Sequence, residues 1–527
     1  MNTSENKLPS RTEDNKRLAN NTLALYLRSF IVLVVGLYTS RVILQALGVS
    51  DYGIYSVVGS VVVFFSFFNS AMTASIQRFL TFEIGRNDIN QTRKVFSVSM
   101  ASQISLAIIL VMLMEVVGVW FLNTKLNIPD GRMTVANWVF QISIVTFIIN
   151  MIVIPYTASI VANEKMAFFA YVSIIDAVLR LGIVLFVKYA SCDRLVLYAV
   201  LLSIESLVVF FINRNYCKRK FVICTFSLVR DSTLYKKLFS YIGWSLLGSS
   251  SDVATRSGFT FILNIFYGVT LNAALGIANR VNSAITNFVN SFQTSYRPQI
   301  VKTYAEDDLP HLTRLIISAS KMSYALMVVP ILLLIINMPL VLKIWLGDVP
   351  DYAEQFCQIM LICTLVDAVT GPYNAAIMAT TNIKRYEIAI SLSFLLDLFV
   401  SYILMKYGIS PTVVLLSRLF TRGGLNMFIG WFFLKKFFSF PLKKYIRECI
   451  IPILTISIIT IPLLIFLYLR LDGWQLALAS LLLILVLYYL LVMNILFTKS
   501  ERAYVKDIAR TMINKYTKRR YGNGTIN

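Results

Sequence analysis

The chain has 527 residues, of which 57% are hydrophobic and only 14% charged, whereas soluble domains carry about 25% charged residues. Apolar blocks recur with no polar linker between them, which excludes a string of soluble domains and indicates that a lipid bilayer is the solvent. The net charge of +22 lies in loops and tails, where membrane topology accounts for it, so no nucleic-acid partner is expected.

Fourteen apolar segments follow a polar N-terminal tail, and each is close to the length of about 20 residues that crosses a bilayer. They cover residues 20–46, 52–77, 95–121, 134–160, 167–188, 195–213, 238–266, 269–295, 314–345, 353–380, 386–406, 411–434, 448–469 and 474–497. The sequence therefore predicts an all-α polytopic membrane protein. Its predicted parts are a tail (1–19), an N-lobe of spans 1–6 (20–213), a basic linker (214–237), a C-lobe of spans 7–12 (238–434), spans 13 and 14 (435–497), and a basic amphipathic tail (498–527).

Most Lys and Arg residues outside the spans fall in alternate loops and in the two tails. Because positive loops stay in the cytoplasm, this alternation predicts that both termini are cytoplasmic, and a different number of spans would disrupt it. The stretch from Ser500 to Arg520 has apolar residues at helical spacing among basic ones. We expect it to lie on the anionic lipids of the cytoplasmic leaflet.

The two predicted lobes share short sequence motifs. PYTASIVA at 155–162 closes span 4, and PYNAAIMA at 372–379 closes span 10. An Asn-Ser pair followed by an arginine, Arg78 in one half and Arg297 in the other, recurs in spans 2 and 8. These matches indicate a duplication. Six spans per copy keep the copies parallel, and such repeats pack as two bundles with the substrate near the midplane of the membrane.

Charged residues inside spans are rare and usually functional. Arg28 in span 1 and Arg256 in span 7 occupy corresponding elements of the two halves, and Arg280 lies in the middle of span 8. If these spans line a cleft, the three arginines form a cationic floor. Arginine binds phosphate in a bidentate manner and stays charged at physiological pH, so the pattern predicts a pyrophosphate site.

Further charges are candidates for the same cleft. Asp252 lies four residues before Arg256, on the same helix face. Asp176 and Arg180 in span 5 have the same spacing, but we expect their helix to be peripheral and the two residues to form a structural ion pair. Arg418 and Arg422 are also four residues apart but have like charge. They require a cavity, a partner acid or an anionic ligand.

The acids Glu205, Asp367 and Asp397 have no partner in their own helices. They are candidates for coupling to H⁺ or Na⁺; each also fits a helix-packing role. Arg41, Arg78 and Lys321 lie near span ends, where we expect long cationic side chains to extend to the interface. No catalytic set, metal cluster or cofactor motif is present, and no enzyme activity is expected.

The layout of fourteen spans in two parallel lobes, together with LGVSDYGIY at 47–55 and Arg78-Phe79, resembles the polysaccharide transporters of the multidrug/oligosaccharidyl-lipid/polysaccharide (MOP) exporter superfamily. Within it the chain is similar to O-antigen or capsule repeat-unit (Wzx-type) flippases. The resemblance implies a bacterial inner-membrane protein with two lobes and alternating access. It also implies an undecaprenyl-pyrophosphate-linked oligosaccharide as substrate, held by cleft arginines, and a polysaccharide polymerase as a candidate partner.

Other functions share some of these features. A cation-coupled multidrug antiporter has the same architecture, but its cleft would be acidic, and here basic residues outnumber acids within the spans. A lipid II flippase carries closely spaced Arg and Asp in span 1, where this chain has no acid. A membrane polymerase or ligase needs a large outward loop, and the predicted outward loops are short.

Overall fold

The computed structural model describes residues 24–36, 38–39, 42–43, 45–48, 51, 54–55, 58, 66–124, 128, 131–227, 229–471, 473–498 and 501–502. The regular elements among these residues are all helices. The predicted N-terminal tail, Arg41, four residues of the motif at 47–55 (Val49, Ser50, Tyr52 and Gly53) and most of the C-terminal tail lie outside the described residues.

Six helices correspond to predicted spans 1–6, and we refer to them as the N-lobe. They are α1 (Ala24–Gly36), α2 (Ser66–Gly85), α3 (Ile89–Thr124), α4 (Met133–Ala162), α5 (Met166–Lys188) and α6 (Arg194–Lys220). Polar residues start several of them; the Asp193 carboxylate, for example, accepts hydrogen bonds from the amides of Leu195 and Val196 at the first turn of α6.

The C-lobe begins with a long helix, α7, and is followed by two additional helices. The elements are α7 (Ser232–Ala305), α8 (Leu309–Ile336), α9 (Met338–Leu346), α10 (Ala353–Ala379), α11 (Lys384–Lys406), α12 (411–438), α13 (Leu442–Arg470) and α14 (Gly473–Leu496). Predicted span 9 is therefore divided at Asn337, where Pro339 follows in the first turn of α9.

Helix α7 doubles back on itself. Both of its ends pack on α2: the ring centres of Tyr241 and Phe79 are 5.6 Å apart, and those of Tyr304 and Phe82 are 6.0 Å apart. In a straight helix Tyr241 and Tyr304 would be about 95 Å apart. Helical hydrogen bonding is nevertheless continuous from Ser232 to Ala305. The sequence predicted a break between spans 7 and 8 near Gly268; the structure has a sharp reversal there without a loop.

Nine helices of the described part are long and apolar enough to cross a membrane: α3–α6, α8, α10, α11, α13 and α14. The two limbs of α7, with α1, α2 and α12, account for the remaining predicted spans. The predicted all-α class is confirmed, and the arrangement is consistent with fourteen spans.

The turns after α2 and α7 support the duplication. Asn87 and Asp307 have φ angles of 57° and 56°. The following residues, Asp88 and Asp308, accept hydrogen bonds from the amides of Gln91 and His311, both at 2.9 Å. The same backbone conformation and the same N-cap therefore recur at matching positions of the two lobes.

Helices α13 and α14 pack on α8 through an apolar cluster that includes Ile336, Leu464 and Leu476. The chain after α14 also contacts α8. Lys321, which we expected to extend to the interface, is instead 2% exposed, and its Nζ lies 3.3 Å from Oε2 of Glu501. This ion pair holds the beginning of the C-terminal tail against the C-lobe.

Candidate functional site

A cavity in the C-lobe contains the largest group of intramembrane charges that the sequence identified. Including its open mouth, it encloses about 630 Å³. It lies between the two limbs of α7 and helices α10 and α12. Its lining comprises Arg256, Phe259, Thr260, Leu275, Asn279, Asn282, Met360, Cys363, Thr364, Asp367, Leu415, Arg418 and Arg422.

The local structure of α12 brings two of these arginines to the cavity. The helix starts at Pro411, and a π-helical turn, Leu419–Gly424, interrupts it before it continues to Phe438. Arg418 immediately precedes this turn and Arg422 lies within it. π turns of this kind are frequent at functional sites, because they change the direction of side chains relative to a regular helix.

Asp252 joins α7 to α12. Its Oδ2 accepts a hydrogen bond of 3.0 Å from Nε of Arg256, one turn along the same helix, and its Oδ1 accepts one from Nη2 of Arg422. The guanidinium of Arg422 also lies 4.8 Å from the ring centre of Phe394. One carboxylate thus neutralises part of the charge of two arginines from different helices.

Asp397 on α11 holds the third arginine. Its Oδ2 accepts a 3.0 Å hydrogen bond from Nε of Arg418, and its Oδ1 accepts one of 2.6 Å from the Thr421 hydroxyl. Arg418 also lies over the ring of Phe259 at 4.4 Å. The sequence required a partner acid or a cavity for Arg418 and Arg422, and the structure provides both.

Asp367 differs from the other two acids. Its side chain is exposed within the cavity wall, and no described residue forms a salt bridge or hydrogen bond with its carboxylate. The lining therefore has three cationic groups and one anionic group. Asp252 and Asp397 lie behind it and neutralise part of the arginine charge.

The three arginines differ in how accessible they are. The side chain of Arg256 is 59% exposed, that of Arg422 20% and that of Arg418 10%. Nε of Arg256 binds Asp252, while its two Nη atoms have no hydrogen-bond partner among the described residues. Arg256 is thus the arginine best placed to bind an added ligand.

Arg28 and Arg280, which the sequence grouped with Arg256, lie elsewhere. Arg28 on α1 packs over the ring of Phe169 on α5, at 5.1 Å. Arg280 is exposed on the second limb of α7 and does not line the cavity, where Asn279 and Asn282 occupy the cavity-facing positions. The structure thus brings together Arg256, Arg418 and Arg422, not the three arginines first grouped. A pyrophosphate role for Arg28 and Arg280 stays a prediction.

A second charge cluster lies in the N-lobe. Arg180 on α5 is 3.2 Å from Oδ1 of Asp176 and 3.8 Å from Oε2 of Glu205 on α6. Glu205 is 3% exposed. This cluster has one more acid than base, the opposite balance to the cavity lining.

Sequence reasoning missed the neutral polar residues of the cavity. The Thr364 hydroxyl donates a hydrogen bond to Oδ1 of Asn282, and Thr421 supports Asp397. Asn279 and Asn282 lie three residues apart on one face of span 8, and this pair of polar residues in an apolar span was the available signal.

On the face predicted to be periplasmic, Arg132 contacts two acids of the N-lobe. It lies 2.6 Å from Oδ2 of Asp193 and also binds Asp51. Burial alone would raise the pKa of Asp193, but the amide of Val196 and the guanidinium of Arg132 outweigh it and lower the pKa of this carboxyl. The loops before α4 and α6 are thereby fixed to each other.

No protein-family model and no curated protein sequence matches the chain. Solved structures do. A MATE structure in the straight conformation superimposes with a TM-score of 0.71 at 10% identity, covering 82% of this chain and 98% of that one. An outward-facing multidrug-resistance MATE transporter of the MOP superfamily gives 0.67 at 11% identity, covering 81% and 97%.

A third structure is a MOP-superfamily transporter from Pyrococcus furiosus, described as having a binding pocket of reverse polarity that suggests a different function. It superimposes with a TM-score of 0.69 at 10% identity and covers 82% of this chain and 98% of that chain. The chain described here therefore has the MATE-like, all-helical fold of MOP-superfamily transporters.

Proposed function

We propose that the protein is a flippase that moves undecaprenyl-pyrophosphate-linked oligosaccharide repeat units from the cytoplasmic to the periplasmic leaflet of a bacterial inner membrane. Such a protein would serve the synthesis of O-antigen or of a capsular polysaccharide. The observation that carries the proposal is the convergence of Arg256, Arg418 and Arg422 on one cavity within the membrane region.

The chemistry of the cavity suits a diphosphate headgroup. Planar guanidinium groups bind phosphate oxygens in pairs, and the partly free Arg256 lies at the exposed side of the cluster. Asp252 and Asp397 keep Arg422 and Arg418 in place before a ligand arrives, which lowers the reorganisation needed on binding. The sugars would occupy the hydrated cleft, and the prenyl chain would stay in the lipid.

Transport then requires the two lobes to alternate between inward and outward openings. A ligand can drive this change only if it binds the two states with different affinity. Coupling to H⁺ or Na⁺ through Glu205, Asp367 or Asp397 and docking of a polysaccharide polymerase remain part of the proposal. Of the three acids, Asp397 is already paired with Arg418, which makes it the least available to an added cation.

A cation-coupled multidrug antiporter is the second candidate function, and Asp367 is the observation that favours it. This carboxylate is exposed in the cavity, and no described residue pairs with it, so it could bind a cationic ligand. The fold alone fits both functions, and the pocket of reverse polarity in the Pyrococcus protein is a precedent for different charge patterns on this fold.

Ligand-induced thermal stabilisation of the purified protein distinguishes the two. Undecaprenyl pyrophosphate and a lipophilic cation are compared on the wild type and on Arg256→Ala. A matched control is Arg180→Ala, which also removes an arginine from an Asp–Arg pair with a spacing of four residues, but in the N-lobe. We expect stabilisation by the pyrophosphate lipid that Arg256→Ala weakens about tenfold in apparent affinity and Arg180→Ala leaves unchanged. Stabilisation by the cation alone would refute the flippase proposal.

A further inference from the structure

The repeated motifs at 155–162 and 372–379 close α4 and α10, and the opposite lobe makes a contact within one motif, at Ala379, and two residues after the other, at Glu164. Arg78 of α2, in the N-lobe, donates hydrogen bonds from Nε and Nη2 to the carbonyl oxygen of Ala379, at 2.9 and 2.6 Å. Ala379 is the last residue of α10, in the C-lobe. A guanidinium at this position satisfies a terminal carbonyl and interacts favourably with the negative end of the helix dipole.

Arg78 is buried in this interface, contrary to our expectation that it extends to the membrane surface. It is 5% exposed, and its guanidinium lies 4.8 Å from the ring centre of Phe82 and 5.7 Å from that of Tyr241. The Tyr241 hydroxyl donates a 2.7 Å hydrogen bond to the carbonyl of Met378. Arg78 is therefore inserted between the lobes, with Ala379 as its acceptor on the C-lobe side.

The second contact runs in the opposite direction between the lobes. Lys302, near the end of α7 in the C-lobe, donates a 2.7 Å hydrogen bond to Oε1 of Glu164, which follows α4 in the N-lobe. Glu164 is 5% exposed. A Cβ atom at Gly85 of α2 would lie 2.9 Å from Cα of Lys302, so the close approach of these helices requires glycine at that position.

The duplication relates these two contacts. In each lobe one helix carries the Asn-Ser…Arg motif: α2 in the N-lobe and α7 in the C-lobe. Helix α2 contacts the C-lobe at the end of the motif at 372–379, and α7 contacts the N-lobe just after the motif at 155–162. Arg297 is the sequence counterpart of Arg78, but it is exposed and donates to Oε1 of Gln293 on its own helix, at 2.7 Å. On this side Lys302, about one turn further along, makes the contact between the lobes.

We propose that Arg78–Ala379 and Lys302–Glu164 form a reciprocal clasp that closes the path between the lobes at one end of the molecule. This end carries the Lys- and Arg-rich loops and is the one predicted to be cytoplasmic. Opening toward that side breaks both contacts and exposes a buried guanidinium and a buried carboxylate. The clasp thus stabilises the conformation in which the cytoplasmic end is shut, whichever substrate the protein carries.

Disulfide formation across the seam between the lobes measures this closure without a ligand. Ser29 of α1 and Ser291 of α7 have their Oγ atoms 2.6 Å apart, close enough for a disulfide after Ser→Cys substitution at both positions. The rate of oxidative cross-linking is measured in the full-length protein after the six native cysteines have been replaced. Arg78→Gln and Lys302→Met are the test variants, and Arg297→Gln is the matched control.

We expect Arg78→Gln and Lys302→Met each to slow cross-linking by up to about tenfold, because each variant loses hydrogen bonding from a charged group and the closed state becomes less favourable relative to the open one. Arg297→Gln should leave the rate unchanged. Cross-linking of both test variants at the parental rate, or equal slowing by Arg297→Gln, would overturn the proposal. If either test variant does not fold, Glu164→Gln decides the outcome, because it keeps the shape of the side chain and removes only the charge.

Discussion

The N-lobe and the C-lobe each contain an Asp–Arg pair with a spacing of four residues in the membrane region. Asp176 and Arg180 are 3.2 Å apart, and Asp252 and Arg256 are 3.0 Å apart. The arginine side chains are 50% and 59% exposed. Considered alone, the two pairs are nearly equivalent, and neither its spacing nor its exposure identifies one of them as a binding site.

The neighbouring helices make the two pairs different. In the N-lobe the added group is Glu205, a buried acid, so the cluster contains two acidic residues and one basic residue. In the C-lobe the added groups are Arg422 and Arg418, and they line a cavity. A local ion pair therefore becomes a candidate anion site only where a second helix supplies further cations and where the packing leaves room for a ligand.

The largest expected effect of a single substitution concerns the buried pair of the C-lobe. Asp397→Ala leaves Arg418, whose side chain is 10% exposed, without its carboxylate. Removing one partner of a buried ion pair costs about 3–5 kcal/mol. Asp176→Ala in the N-lobe should cost less, since Arg180 keeps Glu205 as a second acid at 3.8 Å. Unfolding of the purified protein by heat or denaturant measures both.

A compensating variant tests the same point further. Asp397→Leu combined with Arg418→Met replaces the ion pair by apolar groups of similar size and should recover much of the lost stability. Equal losses for Asp397→Ala and Asp176→Ala would show that burial does not distinguish the two lobes.

The next effect concerns the polarity of the cavity. Asp367→Asn removes the one acidic group of the lining, so the affinity for a diphosphate lipid should rise about tenfold while that for a lipophilic cation falls. Glu205→Gln removes an acid outside the cavity and is the matched control. Titrations followed by thermal stabilisation give both affinities. A loss of diphosphate binding in Asp367→Asn would contradict the assignment of the cavity as an anion site.

The sequence predicted the all-helical class and the apolar helices well because span length is a property of short segments; the orientation that loop charge indicates stays a prediction. It also predicted that Arg418 and Arg422 need acids, since like charges one turn apart cannot neutralise each other. The identity of those acids could not be predicted: Asp252 and Asp397 lie on other helices, and pairing across helices depends on how the lobe packs.

Two further features could not be predicted from the sequence, because they too depend on how the helices pack. Gly268 indicated a loop between spans 7 and 8, yet backbone hydrogen bonding continues through the reversal of α7. Arg78 and Lys321 lie near span ends, where the interface is the ordinary position of a cation. Their burial follows from partners in the other lobe and in the C-terminal segment, Ala379 and Glu501.

A smaller effect is expected on the predicted periplasmic face of the N-lobe. Because the pKa of Asp193 is lowered in the folded protein, its contribution is present at neutral pH and is lost as the pH falls through that lowered pKa. Asp193→Asn keeps a good N-cap for α6 but loses the charge, so its stability should depend less on acidification. Asp193→Ala loses the cap as well, at about 1 kcal/mol. Thermal unfolding as a function of pH separates the two, and an unchanged acid dependence in Asp193→Asn would exclude this ion pair as its source.

The smallest effect on stability is expected for Glu205→Gln in the N-lobe cluster. Oε2 of Glu205 is 3.8 Å from Arg180, longer than the 2.7–2.9 Å typical of charge-assisted hydrogen bonds, and Oε1 has no hydrogen-bond partner among the described residues. Removing the charge therefore forfeits a weak attraction and also the cost of burying a carboxylate, so the net change should stay below about 1 kcal/mol.

Transport by Glu205→Gln tests whether this acid couples substrate movement to protons. If Glu205 carries the coupling proton, uptake of substrate by reconstituted vesicles under a proton gradient should fall in Glu205→Gln. The affinity for the diphosphate lipid and the stability of the protein should stay unchanged. If uptake is unchanged, coupling does not depend on Glu205, and the excess acid of the N-lobe serves only to hold α5 against α6. A large loss of stability would instead show that the buried carboxylate is ionised and strongly paired, which would make the two clusters more alike than their surroundings indicate.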